Sequence, residues 1–359
     1  MLNNEINEFL KIEVPIIQAP MAGGVTTSKL VAEVSSAGGL GMIGAGYMTP
    51  SQTRDQIREV TQLTSNLFGI NLFVPNEFSV TKNEITSAVE LLQPIYEQLN
   101  IQQIDSQDIP NSSNVIDTFN EQIRIVIEEK VPVCTFTFGI PSKEIMDELK
   151  RHHIILIGTA TTVREAVEIE KSGMDIVVVQ GSEAGGHRGN FIDGFRESLV
   201  GLMSLIPQVV DNVKIPVIAA GGIMDGRGLL ASMCLGAKAV QMGTAFLTCI
   251  ESGAHEVHKE AILQAKEDQI VLTRAYSGKW ARGIQTKFIQ EMQQHEEIVP
   301  EFPVQNTLTQ PIRKAAVAQN NQDYMSLWSG QSPSLAKRQT VRELMESIIT
   351  DARSMMKDF

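Results

Sequence analysis

The stretch Gln180-Gly-Ser-Glu-Ala-Gly185-Gly186-His187-Arg188-Gly189 hangs an imidazole from a glycine-rich segment directly behind the apolar run Ile176–Gln180. An unperturbed imidazole, with a pKa of about 6.5, accepts a proton near neutral pH and, once protonated, steadies a bound anion. A loop histidine is often held by backbone groups alone. Placement at a strand end, where parallel-sheet enzymes carry their chemistry, makes His187 the catalytic candidate. Its neighbours Glu183 and Arg188 are expected to pair with one another or to face solvent, and stay outside that set.

Two further stretches carry glycine where a backbone could close on an anion. Ala219-Ala-Gly221-Gly222-Ile223 and Gln241-Met242-Gly243-Thr244 each follow a short apolar run. Gly222, Gly243 and Thr244 can turn N–H groups and one hydroxyl toward phosphate oxygens at a helix start, so a phosphorylated ligand is expected. Asn71, in Gly69-Ile-Asn71, and Gln180 add amides at strand ends, where a buried amide needs a partner. The pyrimidine edge of an isoalloxazine ring, with its alternating carbonyl and N–H groups, is one such partner; neighbouring backbone would serve either amide taken singly. The turn Gln18-Ala-Pro-Met21-Ala22-Gly23-Gly24 suits close approach of a flat ligand, or is a plain connection. Together these stretches point to a flavin.

Such residues need elements to hold them. Apolar runs rich in Val and Ile alternate with amphipathic stretches, the pattern of strand–helix repeats in a parallel sheet. The runs are Val14–Ala19, Leu40–Ala45, Phe68–Val74, Val131–Phe138, Ile154–Thr159, Ile176–Gln180, Val217–Ala220 and Ala239–Met242. A doubly wound open sheet shares this alternation, but eight repeats favour an α/β fold of the closed (β/α)8 TIM barrel kind. Helical faces lie between them: Leu30, Val34 and Ala37 after Thr27; Leu92, Ile95, Tyr96 and Leu99; Val163, Ala166 and Val167; and Leu229, Leu230, Met233 and Cys234 before Gly236. The long gap from Val74 to Val131 holds a polar stretch, Asn100–Asn114, that reads as a surface loop between two helices. Behind Met242 the eighth helix is expected within Gly253–Lys266. The expected division is a barrel over 1–267, a small, mainly helical lid subdomain over 268–339, and a C-terminal helix over 340–359 packing back on the barrel. Within the lid, Arg274-Ala-Tyr276-Ser-Gly-Lys279-Trp280-Ala-Arg282-Gly283 interleaves cations with aromatics, as would a wall beside an anionic substrate or a merely structural lid.

Composition excludes several classes. The chain has 359 residues and a net charge of −12 without a basic cluster, which argues against a nucleic-acid partner. Cys134, Cys234 and Cys249 sit in apolar stretches without metal-type spacing, and neither they nor the six histidines suggest a metal site. His255 and His258 read as helix or surface residues. With no apolar run of membrane-spanning length and no basic leader, a cytoplasmic location and no membrane partner are expected.

Taken together, Gln18–Gly24, Gly69–Asn71, Gly181–Gly189, Ala219–Ile223, Gln241–Thr244 and Ser277–Gly283 resemble the nitronate monooxygenase family, formerly called 2-nitropropane dioxygenases, over nearly the whole chain. The resemblance implies FMN held by Met21, Ala22, Asn71, Gln180, Gly185, Gly222, Gln241, Met242, Gly243 and Thr244, with His187 nearest the reacting carbon as base or anion stabiliser. It implies oxidation of alkyl nitronates by O2 to a carbonyl compound and nitrite, so the partners are a small nitronate and O2; homo-oligomerisation stays open. The same superfamily contains FMN-dependent enoyl-acyl-carrier-protein reductases, similar through the same loops. A non-catalytic flavin-binding sensor is a third reading, against which the imidazole counts.

Overall fold

The computed structural model describes residues 2–104 and 109–357. Its strands, in chain order, are β1 (Ile16–Gln18), β2 (Gly41–Gly44), β3 (Phe68–Phe73), β4 (Val133–Thr137), β5 (Ile155–Ala160), β6 (Ile176–Gln180), β7 (Gly186–His187), β8 (Val217–Ala220), β9 (Ala239–Met242), β10 (Ile270–Thr273) and β11 (Ala281–Ile284). Eight of them form one parallel sheet in the order β1-β9-β8-β6-β5-β4-β3-β2. A parallel bridge from Ile17 to Leu40 joins the two ends. Leu40 N–H donates to Ile16 O at 3.0 Å and Gln18 N–H to Leu40 O at 3.0 Å. The sheet is therefore a closed barrel, and the eight apolar runs are its staves.

Local chemistry fixes the surrounding helices. Thr27 caps Ser28–Ser36 through Leu30 N–H, and Thr49 shares a reciprocal capping box with Gln52 ahead of Pro50–Leu63. Asp225 caps Gly226–Cys234, while Gly173, in the left-handed region, ends Val163–Ser172. Inside the barrel, Ile17, Met42, Val133, Ile157, Ile176, Val178, Ile218 and Ala239 pack with Ile6 and Leu10 of the helix Glu5–Leu10.

Two packing assignments differ from the sequence reading. The face Leu92–Ile95–Tyr96–Leu99, on helix Lys82–Gln98 and its cap, does not cover the sheet. It belongs to a second hydrophobic core with Ile262, Tyr276, Phe288, Val304, Leu308, Ile312 and Tyr324. Tyr96 donates its hydroxyl proton to Leu308 O, and Gln319 donates to Leu99 O at 3.0 Å. The helix that crosses from β3 to β4 is instead Ser112–Glu128, whose Phe119, Ile123 and Val126 sit in the barrel core. The polar loop before it ends at its cap, Asn111, and residues 105–108 of that loop lie outside the described residues.

The second correction concerns the eighth helix. Glu256–Gln264 forms as a helix, but its Ala261 and Ile262 join the second core. The eighth place around the barrel is filled by Val341–Met355, whose Val341, Leu344, Met345, Ile348, Ile349 and Ala352 share one core with Leu30, Val34, Leu229 and Met233. Residues from about 254 to 339 are thus inserted between the last strand and the helix that covers it, and Lys82–Leu99 packs with that insertion. The insertion is mainly helical, with the addition of β10 and β11. These pair antiparallel with each other, and β11 pairs in turn with β7.

Candidate active site

The carboxyl ends of the barrel strands and the insertion enclose one cavity, with about 1350 Å³ of space free of protein atoms including its open mouth. Met21, Ala22, Asn71, Gln180, Gly185, His187, Gly222, Gln241, Gly243 and Thr244 all line it. Met242 does not: its side chain is buried in the barrel core, and its carbonyl accepts from Ala19 N–H at 2.8 Å. Alternation along β9 explains this, since Gln241 faces inward and the next side chain must face out.

The β8 and β9 tips form the anion-shaped end. Gly221 and Gly222 hold φ of 130° and 67°, conformations that suit glycine, and a Cβ on Gly222 would stand 3.2 Å from Glu183 Cβ. The backbone N–H groups of Gly221, Gly222, Gly243 and Thr244 have no acceptor among the described residues. Thr244 Oγ1 accepts from Gly330 N–H at 2.9 Å, which leaves its own proton free to donate. Ser332, not singled out by the sequence, lines the same end. Unpaired N–H groups on neighbouring glycine-rich tips are the kind of donor a phosphate requires.

Across the barrel the two strand-end amides both line the cavity. Gln180 spends its carboxamide on backbone, donating to His187 O at 3.0 Å and accepting from Gly189 N–H at 2.8 Å. It ties down the His187 segment and keeps a second amide N–H without an acceptor among the described residues. Asn71 donates to Thr135 Oγ1 at 2.8 Å and Thr137 Oγ1 at 3.1 Å, leaving its Oδ1 without a partner among the described residues.

His187 sits on β7, paired with Ala281 of β11, and Arg188 N–H donates to Trp280 O at 2.8 Å. Glu183 and Arg188 form no ion pair with each other, and while Arg188 is buried Glu183 is half-buried. Arg188 is fully buried and donates to the carbonyls of Gly181 at 2.7 Å, Gln180 at 3.0 Å and Ser198 at 2.6 Å. Glu183 accepts from Leu202 N–H at 2.9 Å, at the start of helix Leu202–Val210. Both residues shape the histidine segment from behind. The carbonyls that Arg188 meets are set by the folded loop, which spacing alone does not display.

Around His187 stand the rings of Phe138, Phe302 and Trp328, with centroids 6.1, 6.4 and 5.5 Å away. Its Nε2 lies 2.8 Å from Ser277 Oγ. Burial, reinforced by the charges of Lys279 and Arg313, pushes its pKa down to about 3. The imidazole is therefore neutral over the whole physiological range, unlike the freely titrating group read from sequence. Lys279 is itself lowered, first by burial; its Nζ sits 4.6 Å from the Phe138 ring centroid and 3.5 Å from Asn190 O. Arg313 is lowered by burial, with Tyr47 and Tyr276 opposing, and donates to Asn306. Among the described residues neither cation forms an ion pair with a carboxylate. A second histidine, His258, is buried rather than superficial; it lines the cavity, contacts Trp328 O at 3.0 Å, and is lowered to about 4 by burial.

The fold and cavity define a barrel of the (β/α)8 enzyme class with its cavity at the carboxyl ends of the strands. The nitronate monooxygenase family model matches residues 3–351, and the chain belongs to that family, an oxidoreductase family. A probable nitronate monooxygenase of Staphylococcus haemolyticus is 51% identical over 99% of this chain and 98% of its own length. Its counterpart from Staphylococcus aureus strain JH9 is 50% identical with the same coverage. Among solved structures, a nitroalkane oxidase from Streptomyces ansochromogenes superposes with a TM-score of 0.90 at 34% identity, covering 98% of this chain and 99% of that one. FabK from Thermotoga maritima superposes with a TM-score of 0.78 at 32% identity, covering 100% and 98%. Among the described residues no helix is long and apolar enough to cross a membrane.

Proposed function

We propose that this oxidoreductase binds FMN and uses O2 to oxidise an alkyl nitronate to a carbonyl compound and nitrite. The observation that carries the reading is a neutral His187 on the cavity wall, acted on by the charges of Lys279 and Arg313, in a cavity whose other end offers unpaired backbone N–H groups. Such a site attracts an anion on one side and a phosphate on the other. Bound there, FMN supplies the electron acceptor for the nitronate and the donor for O2.

The protein's own part is positioning and charge. Gly221, Gly222, Gly243 and Thr244 hold the phosphate; Met21, Ala22 and Gly185 give flat, small-residue walls. Lys279 and Arg313 draw the nitronate, and the rings of Phe138, Phe302 and Trp328 keep water from its carbon. Deprotonating a neutral nitroalkane falls to His187. Its basicity is low in the empty site and rises as the forming anion offsets the two cations, so base and cations act together.

The test is direct. Purified protein should be yellow, consume O2 and release nitrite from a nitronate. His187→Ala should keep its flavin and lose most turnover on neutral nitroalkanes, with a smaller loss on preformed nitronates. Oxidation of NADH only on addition of an enoyl thioester would replace this reading with the reductase one. Bound flavin with neither activity would favour the sensor.

A further inference from the structure

We propose that Ser277 is the positioning residue that fixes the tautomer of His187, holding the proton on Nε2 so that Nδ1 is the atom that takes a proton from substrate. The proposal rests on His187 being the proton acceptor of the reading above.

A serine hydroxyl has one proton and two lone pairs, and three groups surround Ser277 Oγ. Lys279 O lies at 3.0 Å and can only accept, so it takes the hydroxyl proton. Lys279 N–H lies at 3.3 Å and can only donate, so it takes one lone pair. His187 Nε2, at 2.8 Å, is left facing the second lone pair, and only a protonated nitrogen makes a hydrogen bond there. The opposite arrangement, with the hydroxyl donating to Nε2, would strip Lys279 O of its donor among the described residues and place two acceptors face to face. A neutral imidazole carries one N–H. With it on Nε2, Nδ1 is bare, and among the described residues Nδ1 has no partner.

The hydroxyl cannot drift from this position. Gly278 N–H donates to Arg274 O at 2.8 Å, closing the turn, and a Cβ on Gly278 would come within 2.2 Å of Pro300 O. The adjacent Tyr276 is buried, with its hydroxyl donating to Met325 O at 2.6 Å and its carbonyl accepting from Thr309 Oγ1. Gln305 donates to Ala275 O at 2.7 Å. Ser277 thus stands on a braced turn from the inserted segment, while His187 stands on the barrel. The strand pair β7–β11 is what brings them together.

Nitrogen-15 NMR of the histidine-labelled flavoprotein, with the His187 signals assigned by their loss in His187→Gln, tests this without any substrate. The wild type should show a protonated Nε2 and an unprotonated Nδ1. Ser277→Ala should give a mixture of the two tautomers and a fall of about tenfold or more in turnover of a neutral nitroalkane, with flavin content retained. Ser277→Thr, which keeps the hydroxyl, should restore both. A wild-type His187 protonated on Nδ1 overturns the proposal, as does a Ser277→Ala protein with unchanged tautomer and turnover. Absence of nitronate oxidation with the Nε2–H signature intact would instead count against the proposed function, and the two failures stay separable.

Discussion

Lowering the pH should unfold this protein through two histidines that the folded state keeps uncharged. His187 is held at about 3 and His258 at about 4, both first by burial, against an ordinary value of 6.5. A base with a depressed folded pKa contributes its full stability above the unfolded value and loses it as pH falls, because only the unfolded chain takes up the proton. Between pH 6.5 and 5 each ring forfeits about 1.5 units of differential protonation. At 1.36 kcal/mol per unit that is about 2 kcal/mol each, or about 4 kcal/mol together. This is a large fraction of the roughly 5–15 kcal/mol that separates folded from unfolded proteins. Urea titrations at pH 7.5 and 5, at one fixed flavin concentration, should show that loss in the wild type and recover most of it in the His187→Gln/His258→Gln double variant. A double variant as acid-sensitive as the parent would refute the premise that the cavity keeps its imidazoles neutral.

Other perturbations read other parts of the structure. Gly222→Val should abolish retention of FMN, measured as the flavin absorbance that survives gel filtration, because a branched side chain at φ 67° must both strain the turn and crowd Glu183; full retention would move the phosphate elsewhere. Glu165 accepts from Thr161 N–H and Oγ1, both at 2.7 Å, and from Phe191 and Ile192 N–H at 2.6 and 3.0 Å. Glu165→Ala should therefore cost roughly 3 kcal/mol in urea unfolding by orphaning buried donors, and should lower turnover by loosening the chain behind His187. Ile348→Ala should cost about 3 kcal/mol by opening a hole in the barrel core; a change under 0.5 kcal/mol would show that this helix lies outside that core.

All eight staves were legible because parallel strands buried on both faces read as short apolar runs. Ile176–Gln180, Val217–Ala220 and Ala239–Met242 agree to the residue. Closure was not legible, since it rests on the Ile17–Leu40 bridge between two separate runs. Periodicity found the helices Lys82–Gln98 and Glu256–Gln264 but not their partners: an apolar face states that a core exists and is silent on which one. The strands β7, β10 and β11 were missed because they lie outside the strand–helix repeat: β7 has two residues and finds its partner β11 far along the chain, and β10 and β11 form a short antiparallel hairpin in the insertion. At the site, strand-end placement located the glycine tips, Asn71, Gln241 and His187. Ser277 and Lys279 were seen only as part of a charged stretch, His258 was read as a helix or surface residue, and Arg313 was not singled out. The insertion folds them over the barrel from positions 70 or more residues beyond His187.

The helix Val341–Met355 is the last part of the barrel to be synthesised, yet its side chains complete a core begun by Leu30 and Val34. A nascent polypeptide that has emerged only as far as residue 339 holds every stave and both glycine-rich strand tips but leaves an oily seam open between the first and seventh crossovers. Until the last helix arrives, that seam exposes apolar side chains that the folded protein buries. Shaving the final coil would hurt yield before it touched the chemistry.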